Sequence, residues 1–197
     1  SNQREKAYEN WAAVLMHLPY CFQGRRTFID IFAFENPLLV EKQLGETQKE
    51  KIKALAKSTE YIQFVNEKIV PSEIASGQIG NIYTGSIFLG LVSALYHSAK
   101  NDNYLDHKKV GFIAYGSGSK SKVFEGEIQP DWKSTILKTT LFEILEQRTT
   151  IDFTTYEKLH KKELKVSVIA PKNEFILEHI EKENPVLKGA RYYTFVD

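Results

Sequence analysis

The segment from Ile87 to Ala99, with the turn Gly80–Ser86 before it, most constrains how this chain can fold. Apolar and small residues lie on nearly every side of its helical projection, whereas an amphipathic surface helix shows a single apolar stripe. The sequence therefore predicts a buried core helix over about residues 83–99. Its first turn, with free backbone N–H groups and a positive dipole end, would face a site. An ordinary core helix preceded by a tight turn is the alternative interpretation.

Composition narrows the class of protein. The chain has 197 residues, of which 42% are apolar and 26% charged, as is usual for a globular domain. A formal net charge of +1 gives no field that would attract nucleic acid or a membrane surface. A single cysteine excludes an internal disulfide, and no apolar run approaches the roughly 20 residues of a membrane span. We expect one domain over 1–197 with a cytoplasmic location, binding neither nucleic acid nor membrane.

Apolar runs alternate with amphipathic segments along the chain, which predicts an α/β fold with a mixed sheet packed by helices. The predicted strands cover residues 12–16, 110–115, 123–128, 166–170 and 191–196, and the second and third form a hairpin. The predicted helices cover one or two turns in 4–12, then 19–35, 38–75 with a break at Pro71, the core helix, 131–145, 151–161 and 174–182. Asp152 or Thr154 would cap the helix at 151–161.

His17 is the first of three features that could carry chemistry. It follows the apolar strand 12–16, and imidazole is the usual general acid or base at neutral pH. The alternative is a histidine that covers the core or binds a backbone carbonyl.

Asn81 and the run 116–119 are the other two features. The Asn81 amide can bind a substrate carbonyl or cap the helix that follows it. The Gly-Ser-Gly-Ser run after strand 110–115 would let a ligand approach the backbone, with the Ser117 N–H donating into an oxyanion hole. A plain hairpin turn explains the same run.

Other chemistry is disfavoured. The remaining histidines lack metal-ligand spacing, so no metal site is predicted. No Gly-x-Ser-x-Gly elbow is present, and Cys21 reads as a small buried residue.

The order of the three features resembles the C-terminal half of 3-hydroxy-3-methylglutaryl-CoA synthase, over about residues 8 to 195. The matching motifs are Met16-His17-Leu18-Pro19-Tyr20, Gly80-Asn81-Ile82-Tyr83-Thr84-Gly85-Ser86 and Tyr115-Gly116-Ser117-Gly118-Ser119. The resemblance implies a thiolase-like fold and a homodimer that condenses acetyl-CoA with acetoacetyl-CoA in the mevalonate pathway. It implies no cofactor, because coenzyme A thioesters are the substrates.

The resemblance also implies residue roles. His17 is similar to the histidine that binds and polarises acetoacetyl-CoA, Asn81 to the asparagine that binds the acyl group, and Ser117 to the serine that lines the acyl pocket. Gly116 and Tyr83 belong to the same substrate-binding motifs. Pro19, Tyr20 and the pair Arg25-Arg26 match the segment that meets coenzyme A. Where family members carry a lysine, this chain has Phe22.

The family's nucleophilic cysteine and catalytic glutamate lie in its N-terminal half. We therefore expect this chain to be a C-terminal domain that is inactive without that half. Two alternatives remain open: a polyketide β-branching synthase of the same family, which takes its acyl group from a carrier protein, and a non-catalytic α/β module that binds acyl-CoA or a protein.

Overall fold

A three-stranded mixed sheet organises the first of the two units into which the chain divides, Ser1–Gln147 and Arg148–Asp197. The computed structural model describes residues 6–116, 118 and 120–197. Within that part, a short 3-10 helix, Ala7–Asn10, leads into the sheet.

The strands of this sheet follow the order β1-β2-β3. Strand β1, Trp11–Met16, pairs in parallel with β2, Lys109–Gly116, and β2 pairs antiparallel with β3, Lys120–Glu127. The predicted strands at 12–16, 110–115 and 123–128 and the predicted hairpin are thus confirmed. Because β1 and β2 are parallel, their carboxyl ends lie at the same edge, and candidate site residues follow both.

The first unit also contains helices. They are α1 (Gln23–Glu35), α2 (Pro37–Glu41), α3 (Gln48–Leu55), α4 (Thr59–Lys68), α5 (Val70–Ile79), α6 (Gly85–Lys100), α7 (Trp132–Ile136) and α8 (Leu141–Glu146). Among the helices of the described residues, none has both the length and the apolar character needed to cross a membrane.

The predicted helical region 38–75 is divided into four helices by local capping. Thr47 forms a capping box with Glu50 at the start of α3, and Ser58 accepts a hydrogen bond at the start of α4. Pro71 lies in the first turn of α5, where a missing N–H costs nothing, so it starts a helix rather than ending one. The predicted break is in place, but α5 continues to Ile79.

Strand β1 is buried on both sides. Val14 and Met16 belong to a core with α1, α3 and α4, where Phe28 and Leu55 are fully buried. Ala13 and Leu15 pack on the other side, in a core with Ile87 of α6 and with β2. Continuous burial of this kind is typical of a parallel strand covered on two sides, and it fixes the end of β1 firmly. Deleting a side chain such as Leu55 would cost about 2–5 kcal/mol.

The predicted core helix is confirmed as α6. Its buried residues are small or apolar, and two of them, Gly90 and Ser93, lie directly against α5. The prediction that it is buried all round is wrong at Phe88, whose side chain is 59% exposed.

Two other predictions about the first unit are wrong in part. The helix expected over 19–35 begins at Gln23, because residues 17–22 form an irregular turn. Phe22, just before this helix, and Phe34, in its last turn, are exposed. The helix expected over 131–145 is interrupted between α7 and α8. Its apolar residues nevertheless share a core, since Ile136, Phe142 and Leu145 pack together with Tyr96 of α6.

The second unit contains helix α9, Phe153–His160, and a hairpin of β4, Glu174–Ile180, and β5, Arg191–Val196. Asp152 caps α9, as predicted. The predicted helix at 174–182 is wrong, because this segment pairs antiparallel with β5 and so satisfies its backbone between strands. The predicted strand at 166–170 is also wrong, since these residues form no described ladder.

Candidate functional site

His17 lies directly after the carboxyl end of β1. Its backbone N–H donates to the Ile113 carbonyl of β2 at 3.2 Å, which extends the strand pairing by one residue. The side chain is half-buried. The imidazole is thus attached to the end of a strand that is packed on both sides, and it still reaches the sheet edge.

Ser86, in the first turn of α6, holds the imidazole from one side. Its hydroxyl oxygen lies 2.9 Å from Nδ1 of His17 and accepts the backbone N–H of Leu18 at 3.0 Å. Ser86 is fully buried. Two successive residues of the segment after β1 are therefore bound to one hydroxyl of the core helix.

Tyr115, near the end of β2, contacts the imidazole with its ring. The two rings pack edge to face, with centroids 5.0 Å apart and an angle of 79° between their planes. Burial raises the pKa of the Tyr115 hydroxyl, and a hydrogen bond with Gln23 opposes that rise. Residues from all three sequence motifs therefore meet at His17, through Ser86 and Tyr115.

Asn81 and Tyr83 are exposed. The Asn81 side-chain oxygen accepts the Tyr83 backbone N–H at 2.8 Å, an Asx turn that stabilises a positive φ of 53° at Tyr83. The amide neither caps α6 nor contacts His17 among the recorded hydrogen bonds of the described residues. The member of this motif that the structure brings to the imidazole is Ser86.

Gly116 is exposed at the end of β2. A Cβ atom added there would meet no described atom within 4 Å, so the space beside this backbone is open. Ser117 and Ser119 lie outside the described residues.

The adjacent arginines Arg25 and Arg26 have different hydrogen-bond partners. Arg26 is exposed and donates to the Tyr20 hydroxyl at 3.0 Å, so its guanidinium lies beside the turn that contains Pro19. Arg25 instead forms a bidentate pair with Glu73 of α5, with Nε 3.0 Å from Oε2. Of these two arginines, Arg26 is therefore the one placed to meet an anionic ligand.

An open cleft of about 360 Å³ lies between α1 and α4 beside these arginines. Its lining is mainly apolar, with Ile29, Ile62 and Val65 among the residues. Burial raises the pKa of Tyr61 above its ordinary range, and the Tyr61 hydroxyl donates to the Arg25 carbonyl.

Three participants were missed by reasoning from the sequence. Ser86 and Tyr115 stand inside the quoted motifs, but nothing local indicates that they contact one histidine. Glu73, 4% exposed, lies in a segment without any motif. Its signal would have been an acidic residue among apolar and small neighbours.

Cys21 is half-buried against α5. A Cβ atom added at Gly77 of that helix would lie 3.7 Å from the Cβ of Cys21. No group of three or more His, Cys, Asp or Glu side chains in the described part of the chain could hold a metal ion.

Comparison with solved structures defines the class of fold. The chain superimposes over its full length on 44% of MvaS in complex with 3-hydroxy-3-methylglutaryl coenzyme A, with a TM-score of 0.71 at 23% identity. It matches 45% of the Curacin biosynthetic pathway HMG synthase, determined in complex with apo donor-ACP, with a TM-score of 0.69 at 17% identity. The fold is therefore thiolase-like, as the resemblance of the three motifs implied.

The sequence comparisons then identify the family. Residues 1–194 match the family model described as hydroxymethylglutaryl-coenzyme A synthase C terminal, and the chain belongs to this family. A similar relative is the hydroxymethylglutaryl-CoA synthase of Enterococcus faecalis, 26% identical over 161 residues that make up 82% of this chain and 36% of the relative. The Haloferax volcanii synthase is 31% identical over 61% of this chain and 28% of its own length. The chain thus spans well under half the length of these relatives.

Proposed function

We propose that the protein containing this chain is a hydroxymethylglutaryl-CoA synthase that condenses acetyl-CoA with acetoacetyl-CoA in the mevalonate pathway. The observation that carries the proposal is the environment of His17. Its imidazole lies between Ser86 of the core helix and Tyr115 at the end of β2. The Ser86 hydroxyl oxygen is 2.9 Å from Nδ1, and the centroids of the Tyr115 and His17 rings are 5.0 Å apart. A half-buried, rigidly supported imidazole at a sheet edge is suited to bind and polarise a thioester or ketone carbonyl.

The other proposed roles surround this imidazole. Asn81 and the Ser117 backbone would bind the acyl group, with Tyr83 and Gly116 lining the same pocket. The open space beside Gly116 is consistent with close approach of a ligand. Pro19 and Arg26 would meet coenzyme A, whose phosphates an exposed guanidinium suits.

The nucleophile and the base of the reaction would come from an N-terminal half outside residues 1–197. The chemistry needs a thiolate to form an acetyl-enzyme and a glutamate to remove a proton from its methyl group. Cys21 packs against α5, in a different motif from the family nucleophile, so we assign it no part in this step. On this proposal the chain alone is inactive.

Exposed apolar surface in the first unit supports a further protein partner. Phe88 on α6 and Val123 on β3 are 59% and 62% exposed. Such surface is suited to association with the N-terminal half and with a second copy, as a cytoplasmic homodimer.

The test compares three polypeptides: the product of the whole reading frame, the same product with His17→Ala, and residues 1–197 alone. Consumption of acetoacetyl-CoA in the presence of acetyl-CoA is followed spectrophotometrically. We expect activity from the whole product only, with kcat reduced about 10²- to 10⁴-fold by His17→Ala. His107→Ala is the matched control, because His107 is exposed and pairs with Glu127 at 2.9 Å.

Two results would contradict the proposal. One is turnover by residues 1–197 alone, and the other is a folded whole product that is inactive on both free thioesters. Activity restored only by an acetyl group on a carrier protein would instead support the β-branching synthase.

A further inference from the structure

We propose that Ser86 is a positioning residue, which holds the His17 imidazole in the neutral tautomer that carries its proton on Nε2. The imidazole then presents an N–H donor, rather than an acceptor, to the carbonyl it faces. What this N–H would contact rests on the proposed function. The tautomer itself follows from the hydrogen bonds of the described residues.

The Ser86 hydroxyl can donate one hydrogen bond, through its proton, and accept two, through its lone pairs. The Leu18 backbone N–H donates to this oxygen at 3.0 Å and occupies one lone pair. A backbone amide can only donate, so this assignment does not depend on any protonation state.

The hydroxyl proton of Ser86 also needs an acceptor. In the part of the chain that the structure describes, the only recorded partner besides Leu18 is Nδ1 of His17, at 2.9 Å. If the hydroxyl donates to Nδ1, that nitrogen is unprotonated, and the proton of the neutral ring is on Nε2.

The opposite arrangement leaves a proton without an acceptor. If Nδ1 carried the proton and donated to Ser86, both lone pairs would be occupied by Leu18 and His17. The hydroxyl proton would then have no recorded acceptor at a fully buried position. An unsatisfied buried donor costs more free energy than the bond itself contributes, so the Nε2–H tautomer is favoured.

The other ring nitrogen of His17, Nε2, can donate a hydrogen bond to a ligand. The Tyr115 ring packs edge-on against the imidazole and restricts its rotation, and the His17 backbone is bonded to Ile113. No hydrogen bond to Nε2 is recorded among the described residues, and the side chain is half-buried rather than enclosed. Nε2–H is therefore available to an acyl oxygen, in a fixed direction.

The experiment is 15N NMR of the histidine side chains in the 197-residue chain, at about pH 9, where an ordinary histidine is neutral. Long-range proton–nitrogen correlations separate a protonated from an unprotonated ring nitrogen. A His17→Gln variant identifies the His17 resonances among those of the five histidines. The expected wild-type spectrum has Nδ1 at the unprotonated position and Nε2 at the protonated one.

The variants are Ser86→Ala and, as matched control, Ser93→Ala. Ser93 is an equally buried serine of the same helix, but its hydroxyl binds backbone groups near α5. Ser86→Ala should move the Nδ1 resonance toward the average of the two tautomers, and Ser93→Ala should leave it unchanged.

A wild-type spectrum with the proton on Nδ1, or an unchanged His17 spectrum in a folded Ser86→Ala variant, would overturn the proposal. If Ser86→Ala does not fold, the wild-type spectrum alone decides. Because this readout uses no substrate, it stays separate from the condensation assay. Absent turnover with the expected tautomer would reject the proposed function and leave the role of Ser86 intact.

Discussion

The buried ion pair between Arg25 of α1 and Glu73 of α5 predicts an asymmetric response to mutation. The Glu73 side chain is 4% exposed, whereas that of Arg25 is 32% exposed. Removing the arginine leaves a carboxylate with little access to water. Removing the carboxylate charge leaves a guanidinium that water can still reach.

The magnitudes follow from this difference. Arg25→Met keeps much of the apolar stem and strands the buried carboxylate, for which we expect a loss of about 3–5 kcal/mol in the free energy of unfolding. Glu73→Gln keeps the shape and an acceptor oxygen for Arg25, so the expected loss is about 1–2 kcal/mol. With both changes combined, the loss should be smaller than the sum, because the stranded charge is absent.

Urea unfolding followed by tryptophan fluorescence measures these losses. Both tryptophans, Trp11 and Trp132, lie in the first unit, so the signal reports the unit that contains the ion pair. Arg26→Met is the matched control, since the exposed neighbour should change stability by less than about 0.5 kcal/mol.

Equal losses of stability for Glu73→Gln and Arg25→Met, or a loss for Arg26→Met as large as either, would contradict this prediction. The first result would mean that the charge of the carboxylate is not desolvated by its surroundings. The second result would mean that replacing either arginine of α1 lowers the free energy of unfolding, so the ion pair with Glu73 would not be the cause.

Three further predictions concern other parts of the chain. Gly111→Ala should unfold the first unit, or destabilise it by more than the roughly 1–3 kcal/mol of ordinary overpacking, because the added Cβ would lie 2.0 Å from the Trp11 ring. Thermal melting measures this loss, and Gly116→Ala, in open space, is the control. Burial lowers the pKa of His97 in the folded state, so its unfolded form binds protons more readily and stability should fall as pH drops below about 6.5. His97→Gln should reduce that slope in urea midpoints measured from about pH 5 to 8; an unchanged slope would exclude His97 as its source. Backbone hydrogen bonds lower the pKa of the Asp152 carboxylate, so its capping of α9 should be complete above about pH 4 and decline progressively below it, as pH falls through the lowered pKa. Asp152→Ala should remove this dependence from the amide-exchange protection of α9, and a retained dependence would contradict the prediction.

Local pattern was sufficient where one physical rule acted alone. The apolar runs before His17 and Gly116 indicated buried strands, and the largely apolar segment 87–99 indicated a core helix. Asp152 before a helical period indicated the cap of α9, because the bond it makes spans only three residues.

Prediction failed where a distant partner decided the outcome. The segment 174–180 has a composition that a helix would tolerate, and it becomes a strand because β5 offers it a register, with Phe175 opposite Phe195. Phe22 and Phe34 were predicted to supply the apolar face of α1, but Phe22 precedes the helix and both side chains are exposed.

The sequence was enough to indicate the family, through three motifs in a fixed order, and the order of the main elements of the first unit, because both are read along the chain. Which members of those motifs meet depends on the tertiary fold. His17 and Ser86 are 69 residues apart, and their hydrogen bond exists because β1 and α6 pack against each other through a shared core. The difference between Arg25 and Arg26 also comes from the tertiary fold. The buried carboxylate of Glu73, on another helix, binds the Arg25 guanidinium and leaves that of the adjacent Arg26 exposed.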